Sequence, residues 1–222
     1  MIIDNTYFTN DIYVPHAKPS VTDSVTGVSE DIVDFINEYS TECLLKSLGY
    51  KLFKDFTSNL DSTEINGLKP TADAKWNELL NGKEYTNPNG DLVYWKGIRY
   101  KDTPTSITYK SFLAYYTYFF YERSEDATRS SIGHQQEEAK NAVRVSATPK
   151  VVTAWNKFVK IVQGEVCLPI VYDKAYGIGV DYYRGGQEVS LYKFIMDSNI
   201  LLIDTYEGFN PKTWNNANQF GI

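Results

Sequence analysis

The stretch from Ser106 to Arg123 constrains this 222-residue chain more than any other. It carries Ile107, Leu113, Ala114, Tyr115, Tyr116, Tyr118, Phe119, Phe120 and Tyr121, which leave almost no polar face. A helix that is apolar all round must be surrounded by protein, so the other elements are expected to wrap it. Aromatic residues are abundant throughout: 18 Tyr, 11 Phe and 4 Trp make up 15% of the chain. With 42% hydrophobic and 23% charged residues, the composition is globular and excludes wholesale disorder. A chain this long buries about 70% of its unfolded surface and needs no disulfide or metal to fold.

Periodicity places the wrapping elements. Ser29 reads as an N-cap with Glu30 and Asp31 in the first turn. Ile32, Phe35, Ile36, Tyr39, Cys43 and Leu44 then follow a helical period, which Gly49 closes. A second helix is expected from Tyr50 to about Leu60, carrying Leu52, Phe53 and Phe56. A third runs from Thr71, its cap, through Trp76, Leu79 and Leu80 to Gly82. Asn87-Pro88-Asn89-Gly90 is a turn flanked by Tyr85 and by Leu92-Val93-Tyr94-Trp95, so a β-hairpin or ordered loop fills 82–104. Ser124 to Gly133 reads as a polar loop, and Gln135 to Val145 as a helix with a narrow apolar stripe.

Thr148-Pro149 is a helix start, with Val152, Trp155, Phe158, Val159 and Val162 before Gly164. Glycine-rich residues 165–187 contain a strand candidate at Leu168 to Tyr172. A last helix from Glu188 brings Leu191, Phe194 and Ile195, with a second segment to Tyr206. The expected fold is therefore mainly α: a helical, bundle-like domain over 29–206 with insertions at 82–104 and 165–187. An extended arm (1–28) precedes it and an amide-rich tail (207–222) follows. The arm's Ile2-Ile3, Tyr7-Phe8 and Ile12-Tyr13-Val14 runs are too apolar to hang in water. They must dock on the chain itself or on a neighbour.

Chemistry is scarce in this sequence. Two Cys and two His are too few for a Cys/His zinc site, and Cys43 and Cys167 read as small buried hydrophobes. Gly177-Ile178-Gly179, followed by Gly185, misses the dinucleotide spacing. Gly82-Lys83 continues into Glu84 instead of a phosphate-loop hydroxyl, and no Gly-x-Ser-x-Gly elbow occurs. His16 and His134 read as surface or capping residues. The carboxylate pairs Glu125-Asp126 and Glu137-Glu138 lie on exposed-looking segments with nothing to raise a pKa. No catalytic residue, cofactor or metal ligand is expected. A net charge of −6 argues against nonspecific nucleic-acid binding through overall charge. The start lacks a signal-peptide pattern, and Ile200-Leu201-Leu202-Ile203 falls far short of the ~18 apolar residues of a membrane span. The expectation is a soluble protein made in a reducing cytoplasm, with no membrane partner.

Several segments share an order with a known family. They are Gly82…Tyr85…Trp95-Lys96-Gly97-Ile98, Phe112-Leu113-Ala114-Tyr115-Tyr116-Thr117-Tyr118 and Asn141-Ala142-Val143-Arg144-Val145-Ser146. Ala154-Trp155-Asn156 and Asn218-Gln219-Phe220-Gly221-Ile222 complete the set, which covers about 30–222. In this pattern the chain resembles the head-to-tail connector, or neck ring, proteins of crAss-like tailed phages that infect Bacteroidales. The resemblance implies a helical adaptor in the virion neck, in a ring of usually twelve copies beneath the portal. Its partners would be the portal protein and other neck or tail proteins, and double-stranded DNA would pass through without specific binding.

Within that reading Ile2, Ile3, Tyr7, Phe8, Ile12 and Tyr13 would dock the arm on a neighbour or another ring. Trp214, Phe220 and Ile222 would anchor the tail. Arg123, Glu125, Asp126 and Arg129, in and beside the polar loop, are candidates for contact with the portal or the lumen. Trp76, Trp95, Tyr116, Phe119 and Trp155 are expected in the core. Alternatives are a tail-completion or head-decorating protein, or a module that grips a host factor or glycan.

Overall fold

The computed structural model describes residues 2–14, 28–61, 67–101, 110–125, 129–130, 133–134, 148–164 and 188–216. The helix expected over 135–145, the strand candidate at 168–172 and residues 106–109 of the helix expected from Ser106 lie outside them. The described residues form a mainly α fold with a small β-hairpin. Six helices appear: α1 Val28–Leu48, α2 Tyr50–Ser58, α3 Ala74–Asn81, α4 Phe112–Glu125, α5 Thr148–Gln163 and α6 Leu191–Leu202. Strands β1 Lys83–Thr86 and β2 Leu92–Trp95 pair antiparallel, with Lys83 opposite Trp95 and Thr86 opposite Leu92. A second, two-residue pairing joins β3 Arg129–Ser130 to β4 Gly133–His134 inside the segment expected to be a plain loop.

Helix α4 is the centre, packed mainly between α5 and α1. Every residue from Phe112 to Phe119 is buried, as its sequence demands. The contacts are aromatic. Tyr39 of α1 stacks on Phe120 at 4.4 Å between ring centroids and 9° between planes. On the other side Tyr116 meets Phe158 at 5.0 Å, and Phe119 meets Trp155 at 4.6 Å. Such pairs add about 0.5–1.5 kcal/mol each beyond their buried area. Trp76, Trp95, Tyr116 and Phe119 are core residues, as expected, and Trp155 is half-buried against them.

Helix ends are closed by distant backbone. Gly49, at φ +79, breaks α1 from α2. The last carbonyls of a helix have no partner within it. Here Leu48 and Lys46 carbonyls accept from the N–H groups of Asn210 and Lys212 in the tail. The hairpin is fixed in the same manner. Trp95 donates through Nε1 to the Leu79 carbonyl at 3.0 Å and stacks on Phe194 of α6. Gly97, at φ +98, lies against the end of α3; an added Cβ would sit 2.5 Å from the Asn81 carbonyl carbon, so only glycine fits.

Four helix starts differ from expectation. Helix α1 begins at Val28, so Ser29 lies within it. Helix α4 begins at Phe112 rather than Ser106, behind Lys110, which bridges to Lys101, and Ser111, whose hydroxyl accepts from Leu113 N–H. Helix α3 begins at Ala74 behind Asp73, because Lys69 to Ala72 form a turn in which the Ala72 N–H donates to the Lys69 carbonyl. Helix α6 begins at Leu191, capped by the Ser190 hydroxyl, which accepts from Lys193 N–H. Glu188 instead bridges to Tyr94 of the hairpin and ion-pairs with Lys96 at 2.9 Å.

Candidate interaction surfaces

The N-terminal arm turns inward. After two short 3-10 turns, Asn5–Tyr7 and Asn10–Ile12, its apolar side chains lie inside the core. Ile2, Ile3, Tyr7, Phe8 and Ile12 are all buried against this same chain. That corrects the assignment of these five residues to a neighbour. The physical reason is that the arm finds both apolar walls and polar partners at home. The Tyr7 hydroxyl donates to the Arg99 carbonyl at 2.6 Å, and burial pushes that phenol up to about 12. Of the six arm residues named for contact, Tyr13 alone stays outside, 59% exposed.

Asp11 fastens the arm. Its Oδ2 accepts from Tyr115 of α4 at 2.9 Å and from Lys157 of α5 at 2.8 Å, while Lys110 approaches Oδ1 at 3.3 Å. The Lys110 side chain is almost fully buried and also donates to the Thr9 carbonyl. Partial burial pushes the Asp11 carboxyl up. Hydrogen bonds from Lys157 and Tyr115, with the charges of Lys157 and Lys110, outweigh that and hold it below the usual carboxylate range. One carboxylate thus clamps the arm to two helices.

Several of the described tyrosines use the same device: the ring packs inward while the hydroxyl reaches a distant polar partner. Tyr116 donates to Glu42 of α1 at 3.0 Å, Tyr85 to the fully buried Asp197 at 2.9 Å, and Tyr206 to the Lys75 carbonyl at 2.9 Å. Burial, then neighbouring acidic groups, pushes all three phenols up. They stay neutral donors at any physiological pH. Asp197 also pairs with Lys193 at 2.7 Å, so the buried charge is compensated.

The tail is fastened likewise. Trp214 is buried; its indole N–H donates to the Tyr192 hydroxyl at 3.0 Å, and it meets Phe158 edge-on at 4.9 Å. It anchors the tail on this chain rather than on a partner. Phe220 and Ile222 lie outside the described residues. Of the proposed portal or lumen contacts, Arg123 is exposed at the end of α4, over the Phe119 ring. Glu125 ends α4 and Arg129 pairs opposite His134 in β3–β4, while Asp126 lies outside the described residues.

The outward surface that sequence reasoning missed is the end of α6. Ile200, Leu201, Leu202 and Ile203 are 47%, 45%, 57% and 83% exposed. Their run was visible in the sequence, but only as a segment too short to span a membrane. Among the described residues no helix is long and apolar enough to cross one, and no group of three or more Cys, His, Asp or Glu could hold a metal ion. A cavity of about 280 Å³ lies between the arm and the first turns of α5, lined by Asn10, Asp11, Ile12, Pro149, Lys150, Thr153 and Ala154.

These features define a helical structural unit whose polar groups fasten its own elements and whose stickiest surface is a bare helix end. Comparison with known protein families, with curated proteins and with solved structures finds no match for this chain.

Proposed function

We propose that the chain is a structural virion protein that assembles as a ring in the neck of a tailed phage, joining portal and capsid to the tail. The sequence resemblance supplies the particular role. The observation that favours an assembly part is the exposed apolar end of α6, a kind of surface that often marks an interaction site. The described polar clusters around Asp11, Glu42 and Asp197 are engaged in holding elements together, which suits a scaffold. An acidic chain of net charge −6 suits a channel through which DNA slides without sticking.

The test is the mass of the phage's portal ring, by light scattering after size exclusion, before and after mixing with this chain. A stoichiometric adaptor adds about twelve chain masses of 25.4 kDa each. A portal that gains nothing from soluble, folded chain rejects docking beneath the portal.

A further inference from the structure

We propose that the exposed end of α6 is one half of a head-to-tail contact between copies of this chain, and that the cavity beside Asp11 at the start of α5 is the other half. The inference rests on the ring reading and names the two surfaces such a ring would use. A cyclic assembly needs two different, complementary patches on every subunit, because each copy meets one neighbour with each patch.

The end of α6 is a shaped plug rather than a frayed terminus. Ile203 sits at φ +50, in the left-handed region that a β-branched residue rarely adopts, and Asp204 follows at φ +60. Asn199 fixes this geometry. Its carbonyl accepts from the N–H of Ile203 and from that of Asp204 at 3.2 Å. Its side-chain oxygen accepts from Tyr206 N–H at 2.7 Å. Tyr206 is itself buried edge-on against Trp76. A strained backbone thus holds the most exposed apolar side chain outward, in place before any partner arrives. Rigid presentation of this kind lowers the entropy cost of binding.

Area points to a protein partner. The four residues expose on the order of 400 Å², within the range of the largest apolar patch on a typical monomer, which is often functional. That is about half of the ~800 Å² that each partner contributes to a standard interface. The plug therefore supplies an interface centre, leaving a polar rim around it.

The cavity matches the plug in chemistry and charge. Exposed Pro149 gives it an apolar wall over the buried Ile12 and Ala154, and its volume is about 280 Å³. Exposed Lys150 lines the cavity, while exposed Asp204 flanks Ile203. In that joint Asp204 of one copy would lie toward Lys150 of the next, while the cavity's Asp11 is already engaged by Lys157, Tyr115 and Lys110. Plug and cavity share no residue, so the contact is head-to-tail and propagates until it closes.

Sedimentation of the full chain over a wide concentration range tests the proposal. The wild-type chain associates beyond a dimer. Ile203→Asp, which spoils the plug, and Thr153→Trp, which fills the cavity, each weaken association at least tenfold. An equimolar mixture of the two variants forms dimers and nothing larger, since one sound joint remains. Asp204→Lys weakens association, and adding Lys150→Glu to the same chain restores it, which excludes misfolding as the cause. An Ile203→Asp chain that associates like wild type overturns the plug. Association lost in Ile203→Asp but kept in Thr153→Trp overturns the cavity as its seat. A wild-type chain that stays monomeric at every concentration overturns this joint, while the ring reading is then judged separately by the portal's gain in mass.

Discussion

The N-terminal arm and the end of α6 are both short apolar runs, yet one is buried and the other is bare. Ile3 and Ile12 are fully buried, whereas Ile203 is 83% exposed. Hydrophobicity does not separate them. Their polar neighbours do. The arm carries Asp11 and Tyr7, which find Tyr115, Lys157, Lys110 and the Arg99 carbonyl on the body of the chain. The α6 end carries no such handle; its hydrogen bonds close its own last turn. The arm's apolar run goes where directional groups fix it, and the α6 run, without them, stays exposed.

The largest expected effects lie on the inward side. Trp95→Ala removes the indole that joins hairpin, α3 and α6, and should cost about 3–5 kcal/mol by denaturant unfolding. Asp11→Ala removes one partner of buried Lys110, which keeps the Thr9 carbonyl, and takes the acceptor from Tyr115 and Lys157; breaking such a pair costs about 3–5 kcal/mol when fully buried. Asp11 is only part-buried, so the lower end is expected, with the arm becoming susceptible to limited proteolysis. A change near zero would show that the arm docks by apolar contact alone.

The same clamp has a pH signature. A carboxyl whose folded pKa lies below its unfolded value stabilises the fold above that unfolded value, about 4, and the stabilisation is lost as pH falls through the folded one. Thermal melts from pH 6 downward should therefore show a loss of stability below about pH 4. Asp11→Asn should make that decline shallower, since its contribution is already gone at neutral pH.

The smallest effect falls on the outward side. Ile203→Asn should leave the isolated chain unchanged or raise its stability by about 0.5–1 kcal/mol, because Asn tolerates the left-handed conformation better. A loss of 2 kcal/mol or more in that variant would place Ile203 in the chain's own packing and blur the contrast.

How much of this was legible beforehand follows the range of the interactions. Helices α1, α4 and α5 announced themselves through local signals: Gly49 after a periodic face, an all-round apolar run, and Pro149 in a first turn. The hairpin followed from Asn87-Pro88-Asn89-Gly90. The start of α6 shifted because a long-range contact, Glu188 with the hairpin, claimed residues that local rules assign to the helix, while α3 was shortened by the local turn from Lys69 to Ala72. The arm's destination depended on partners such as Lys157, 146 residues away, which no local pattern reveals. The α6 end was hidden for the opposite reason: four apolar residues in a row carry no period to say which way they face.

Deleting residues 2–14 and following thermal unfolding across protein concentrations tests most directly whether the arm belongs to its own chain. The account predicts a fall in Tm well beyond the roughly 2–4 °C that 1 kcal/mol is worth at this size, independent of concentration. An unchanged Tm, or a loss seen only where the intact chain is oligomeric, would contradict it and return the arm to a neighbour.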